Sequence, residues 1–121
     1  MLEEGKTYYN NGEYDKAIEI FKKAVELYPN DDNSWSRLGF SYAASGQYEK
    51  AIEYNPEEEL DWCWLGYSYN ENEQYQEAIN SLLKAVELNP DDELNWHLLG
   101  HSYYKNGQYQ DAINSLLKAI E

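Results

Sequence analysis

Residues 59–92 read ELDWCWLGYSYNENEQYQEAINSLLKAVELNPDD, and the chain then repeats itself: residues 93–121 read ELNWHLLGHSYYKNGQYQDAINSLLKAIE. Trp62, Leu65, Gly66, Tyr69, Tyr75, Ala78, Ile79, Leu82 and Ala85 return as Trp96, Leu99, Gly100, Tyr103, Tyr109, Ala112, Ile113, Leu116 and Ala119, each 34 positions later (96 minus 62). A fixed period of this length marks stacked supersecondary units, each burying its apolar face against the next rather than in one central core. Apolar residues three and four apart predict helices buried on one side.

The pattern Trp-x-x-Leu-Gly-x-x-Tyr, then Tyr-x-x-Ala-Ile, then Ala85 and the closing Pro90, resembles the tetratricopeptide repeat. The resemblance covers the whole chain. It implies an all-α fold, a right-handed superhelical solenoid of antiparallel helix pairs, with residues 1–121 forming a single array. Four repeats are expected, at 1–31, 32–58, 59–92 and 93–121. No chemistry follows from the fold itself.

Towards the N-terminus the same marks continue, with departures. Gly5 corresponds to Gly66, so Met1 stands where Trp62 does and the first helix is about one turn short. Tyr8, Gly12, Tyr14, Ala17, Ile18, Phe21, Ala24 and Pro29 are in register. Asp31 and Asp32 offer acceptors to the next helix's free N–H groups. The second repeat keeps Trp35, Leu38, Gly39, Tyr42, Gly46, Tyr48, Ala51 and Ile52, then stops early. Ala78 to Pro90 is 12 residues whereas Ala51 to Pro56 is 5, so 7 are absent. That is two helical turns, about 10 Å. The expectation is a stub helix from Gln47 to Tyr54, followed by Asn55 as a cap and Pro56 in the first position of the next helix. The gap reads either as a built change of angle in the superhelix or as a loss of seven residues. Glu73 stands where Gly12, Gly46 and Gly107 stand, at an interhelix turn that favours positive φ. Both ends read as cut, without a polar capping helix. The near identity of Gln74–Glu87 and Gln108–Glu121 points to recent duplication or design.

The 121 residues carry 23 acids and 9 bases, a formal charge of −14, which argues against nucleic acid and against anionic membranes as partners. The 13 Tyr and 4 Trp fall mostly at the repeat's own core marks. A single cysteine, Cys63, cannot pair internally, and no apolar run is long enough to span a bilayer. A cytoplasmic setting is expected.

In this family the first helix of each pair lines a concave groove. Carried onto this chain, the peptide-binding set is Lys6, Arg37, Phe40, Trp64, Tyr67, Asn70, His97, His101 and Tyr104. The family's carboxylate clamp for chaperone tails, two lysines, two asparagines and an arginine over three repeats, is not reproduced in either register: over the last three repeats those positions read Ser36, Phe40, Trp64, Leu94 and Leu98, and over the first three Leu2, Lys6, Arg37, Leu60 and Trp64. The expected partner is a protein or peptide with apolar anchors and basic flanks. His97 and His101, four apart, together with Cys63 make a three-ligand metal set on paper. No carboxylate or second cysteine completes it, no cofactor is expected, and no catalytic constellation accompanies Cys63, so the chain reads as a scaffold and not an enzyme. The competing reading is a structural or engineered repeat module that self-associates end to end.

Overall fold

The computed structural model describes residues 2–121; Met1, expected in the place of a tryptophan, lies outside the described residues. Every regular element among them is a helix: α1 (Leu2–Asn10), α2 (Tyr14–Leu27), α3 (Asp32–Ala44), α4 (Tyr48–Tyr54), α5 (Glu59–Glu71), α6 (Tyr75–Leu88), α7 (Glu93–Lys105) and α8 (Tyr109–Ala119). They fall into two compact units, one closing at Pro56 and the other running from Glu57 to Glu121.

In the N-terminal unit α1 packs on α2, α2 on α3 and α3 on α4. Ile18, Phe21, Val25, Leu38, Tyr42 and Ala51 form its core, with Tyr8, Trp35 and Tyr54 packed against them. The repeat's signature residues act locally here. Asp31 caps α3, its Oδ1 accepting the Asn33 N–H at 3.2 Å and its Oδ2 accepting the Ser34 hydroxyl at 2.8 Å. The Trp35 indole N–H donates to the carbonyl of Pro29 at 2.8 Å, which ties the helix to the proline that ended the one before. In the C-terminal unit α5 packs on α6, α6 on α7 and α7 on α8, with α5 also touching α7. Ala78, Ile79, Leu82, Val86 and Leu99 form that core. The same devices return, with Leu94 N–H on Asp92 at 3.0 Å and the Trp96 indole on Pro90 at 2.7 Å.

The glycine in Trp-x-x-Leu-Gly is a notch. A Cβ on Gly66 would lie 2.5 Å from Cγ of Leu82, so the two helices of a pair approach only because none is there. Phe21 fills the corresponding notch at Gly5 and Leu116 the one at Gly100.

The shortened repeat departs from this plan. α4 has 7 residues where α2 and α6 have 14. Asn55 caps its C-terminus, the backbone N–H donating to Ala51, and no helix starts at Pro56: α5 begins at Glu59 behind Glu58. The expected N-cap at Asn55 with Pro56 as the first helical residue is therefore corrected. The reason is the Asn55 side chain, which fills the Gly39 notch and donates to the carbonyl of Ser36 at 3.1 Å. Held there, it points back into its own repeat. Tyr54, where the longer repeats carry Ser81 and Ser115, stacks between Trp35 at 5.6 Å and Tyr42 at 5.7 Å. Two residues thus replace the lost apolar turns with an aromatic sandwich and an amide plug.

The turn between paired helices takes positive φ at Gly12, Gly46 and Gly107, near 80°, and Glu73 adopts φ 60° in the same place. Among the described residues Glu73 is the one non-glycine residue held in the left-handed region.

Candidate functional site

Two surfaces combine exposed aromatic groups with polar atoms that the fold does not use. The first belongs to α5 and α7 of the C-terminal unit. Leu60, Trp64 and Tyr67 lie three and four apart on α5, so they form one stripe about 10 Å long. All three are exposed, Trp64 at 43% and Tyr67 at 42%, and their two rings meet edge to face with centroids 5.8 Å apart. On α7, Leu94, His97, His101 and Tyr104 are exposed and Leu98 is half-buried against the core.

Between the two helices runs a polar seam. Glu59 accepts from the Asn95 amide at 2.6 Å and from Asn89 at 3.4 Å; burial raises its pKa, which those donors oppose and neighbouring Asp92 assists. One turn on, Cys63 is 1% exposed, and burial, with the charges of Glu59 and Asp92, pushes its thiol up to about 11. At the far end Asn70 is buried, its Oδ1 accepting the Ser102 hydroxyl at 2.7 Å while its Nδ2 has no partner. Asn70 therefore belongs to the packing of α5 on α7 and does not stand on the exposed stripe. Its period placed it in the groove; the hydroxyl of Ser102 on α7 draws it in.

The paper metal set does not assemble. Cys63 is turned into the α5–α7 seam, whereas His97, one period later, lines an open recess with Leu94, Ala119 and Ile120. Residues one repeat apart face the same way, so a side chain and its repeat-mate point in parallel rather than at each other. Among the described residues no group of three His, Cys, Asp or Glu is placed to hold a metal ion.

Asp61 is also buried, with Oδ2 lacking a partner, and burial together with the charge of Glu58 raises its pKa to about 6. Ser34 and Asn95 occupy the same position in the neighbouring repeats without a charge.

The second surface lies wholly within the N-terminal unit. Lys6, Tyr9 and Asn10 of α1 face Arg37 and Phe40 of α3 across a cleft of about 180 Å³ floored by Phe21. Lys6 reaches exposed Glu3 at 3.6 Å. Arg37 has no ion pair among the described residues, and its Nε is shut off from solvent without a hydrogen-bond partner. The structure thus brings Lys6, Arg37 and Phe40 together in one unit and Trp64, Tyr67, His101 and Tyr104 onto the exposed helices of the other.

The α8 face is apolar too. Ile113, Leu117 and Ile120 are exposed; the counterparts of Ile113 and Ile120 on α6, Ile79 and Val86, are buried, while Leu83, the counterpart of Leu117, is exposed as well. No helix among the described residues is long and apolar enough to cross a membrane.

Comparison with known proteins agrees with the geometry of the helix pairs. The family described as anaphase-promoting complex, cyclosome, subunit 3 matches residues 43–119, more than half of the chain, and the TPR repeat family matches residues 5–46. Peroxisomal targeting signal receptors are similar over a short stretch: that of Kluyveromyces lactis is 44% identical over 45 residues, 37% of this chain and 8% of the relative. That of Saccharomyces cerevisiae is 41% identical over 45 residues, 37% of this chain and 7% of the relative. The chain thus spans a small fraction of the curated relatives it matches. Among solved structures, a crystal structure of MamA shares 26% identity with a TM-score of 0.68, covering 98% of this chain and 74% of that one. MamA from residue 41 onward of Desulfovibrio magneticus RS-1 shares 24% identity with a TM-score of 0.64, covering 98% and 71%.

Proposed function

The chain belongs to the tetratricopeptide-repeat family, and from that premise we propose that it is a non-catalytic scaffold holding a peptide segment of another protein along α5 and α7. The observation that carries this reading is the Leu60–Trp64–Tyr67 stripe. Its two aromatic rings pair edge to face and stand more than two-fifths exposed on the same helix face as Leu60. Exposed aromatic groups that a core does not need are the usual anchors of an interface. The curated relatives are by name receptors for a targeting signal, which supports a peptide as the thing received.

The stripe suits apolar anchors at helical or alternating spacing, and the −14 charge of the chain favours basic flanks and fast association at low salt. A peptide selected from a random library on the intact chain tests this. Trp64→Ala with Tyr67→Ala is expected to weaken that peptide about tenfold or more and to lower the melting temperature by several degrees, with the chain still folded at the temperature of the assay, since both rings stand partly in solvent. Unchanged affinity would remove the stripe from the function.

A second reading is self-association through α8, favoured by its exposed Ile113, Leu117 and Ile120. A head-to-tail form would set that face on α1, where Glu4 stands in the place of the buried Leu38 and Leu99. Burying that carboxylate unpaired is costly, so the head-to-tail form is disfavoured. Molecular mass that rises with protein concentration would favour self-association over the scaffold.

A further inference from the structure

We propose that Asn11 is a site of spontaneous covalent modification, at which the backbone nitrogen of Gly12 turns the side-chain amide into aspartate or isoaspartate. The site lies apart from the α5 stripe and does not depend on the scaffold reading. It sits in the turn that joins the two helices of each pair. Before the positive-φ position of that turn stand Asn11, Ser45, Asn72 and Asn106 in the four repeats, and after it Glu13, Gln47, Gln74 and Gln108. In three repeats the glutamine holds the residue two before it. Gln47 donates to the Ser45 hydroxyl at 2.9 Å, and the amides of Asn72 and Asn106 donate to Gln74 and Gln108, each at 2.7 Å. Asn106 also reaches Gln76 of α6 at 3.4 Å. In the first repeat Glu13 takes the glutamine's place and turns to Lys16 at 3.3 Å. Asn11 is left exposed, with no side-chain hydrogen bond among the described residues.

The reaction needs a following residue whose backbone nitrogen is open to approach, and glycine serves because it has no side chain to shield it. Asparagine precedes glycine twice, at 11–12 and at 106–107. The Gly12 nitrogen attacks Cγ of Asn11 and forms a C–N bond; the bond from Cγ to Nδ2 breaks, and Nδ2 leaves as ammonia with the proton that the Gly12 nitrogen gives up. Water then opens the cyclic imide at either carbonyl, giving aspartate or isoaspartate. In the folded chain both glycine N–H groups donate to the preceding helix, Gly12 to Tyr9 at 3.0 Å and Gly107 to Tyr104 at 3.1 Å, so each attack waits on local opening of its turn. Asn106 must in addition release Gln108, whereas Asn11 has no such bond to break. The product bears on α1. The last turn of α1 has no basic residue, so a new carboxylate there meets the negative end of the helix. Isoaspartate also lengthens the backbone just ahead of Gly12, whose φ of 80° brings the Glu13 N–H onto the Tyr8 carbonyl at 2.8 Å. Conversion therefore loosens α1, with Tyr8 and Tyr9, from the core of the N-terminal unit.

The test incubates the full chain at neutral pH, native and in denaturant, and follows aspartate and isoaspartate at both Asn-Gly steps by peptide mass spectrometry. In denaturant the two steps should react at similar rates. In the native chain Asn11 should react at least about fivefold faster than Asn106, the factor set by one amide hydrogen bond of ordinary net strength. Gln108→Ala should narrow that gap by speeding Asn106. Glu13→Gln, a change at an exposed position, should narrow it by slowing Asn11. Hydrogen exchange along α1 should rise severalfold in the converted chain, and exchange unchanged by conversion would refute the loosening of α1. A native ratio no larger than the ratio in denaturant, no reaction at Asn11 over the time that converts the unfolded chain, or a gap unmoved by both substitutions would overturn the proposal.

Discussion

Tyr54 is the residue on which the shortened repeat depends, and replacing it with serine, as the longer repeats have at Ser81 and Ser115, should destabilise the N-terminal unit. Its ring stacks at 25° on Trp35 and at 8° on Tyr42. Each such aromatic pair is worth about 0.5–1.5 kcal/mol beyond the area it buries. Losing the buried half of the ring adds about 1–2 kcal/mol, so the expected loss is about 2–4 kcal/mol. A unit of this size holds only about 3–8 kcal/mol in all, so α3 and α4 should open first. Amide hydrogen exchange reads this directly: protection at Leu38, Tyr42 and Ala51 should fall by about 30-fold or more, the factor that 2 kcal/mol sets. Tyr28→Ser is the control, because Tyr28 is 59% exposed at the end of α2. If Tyr54→Ser lowers protection no more than Tyr28→Ser, the sandwich does not hold the stub and the account of the deletion is wrong.

Glu73→Gly should raise the melting temperature by a few degrees, because it relieves a left-handed backbone strain of about 1 kcal/mol at φ 60°; a lower midpoint would refute it. Asp61 titrates near 6 in the folded chain, above the ordinary carboxylate range, so the folded state binds its proton more tightly than the unfolded state does. Stability should therefore be lost as pH rises from about 4 through 6, and Asp61→Asn should restore about 1–3 kcal/mol at pH 7 and flatten that part of the profile, read by chemical denaturation. Cys63, buried with its thiol near 11, should react with a thiol-specific disulfide reagent only on unfolding, so modification in the native state at the rate of a free thiol would contradict its placement in the α5–α7 seam.

The helices, their pairing and the notch glycines were legible because each is set by residues within one period: Trp35 finds Pro29 six residues back, and Leu82 meets Gly66 sixteen away. The positive φ at Glu73 was legible for the same reason, since three other copies place glycine there. What escaped depends on partners that periodicity does not specify. Asn55 could be read as a cap for either flanking helix, and only the empty notch at Gly39 decides that its side chain turns back. Asn70 shares its register with half-buried Ala43 and exposed Tyr104, yet a hydroxyl on α7 meets it in the seam. Cys63 and His97 share a register as well, and that is why they cannot share an ion. Lys6, Arg37 and Phe40 were each legible as groove residues, but the missing partner of Arg37 is a property of three-dimensional neighbours and has no signature in the sequence.

A partner peptide received on the α5 stripe would lie against the Trp64 ring. The four tryptophan indole N–H signals in a two-dimensional NMR spectrum report on it directly, because Trp35 and Trp96 are tied to Pro29 and Pro90 while Trp64 stands 43% exposed on that stripe. Titration with a library-selected peptide should move the Trp64 indole to saturation and leave those of Trp35 and Trp96 nearly still. Saturating movement of Trp35 or Trp96 with Trp64 unmoved would contradict the account.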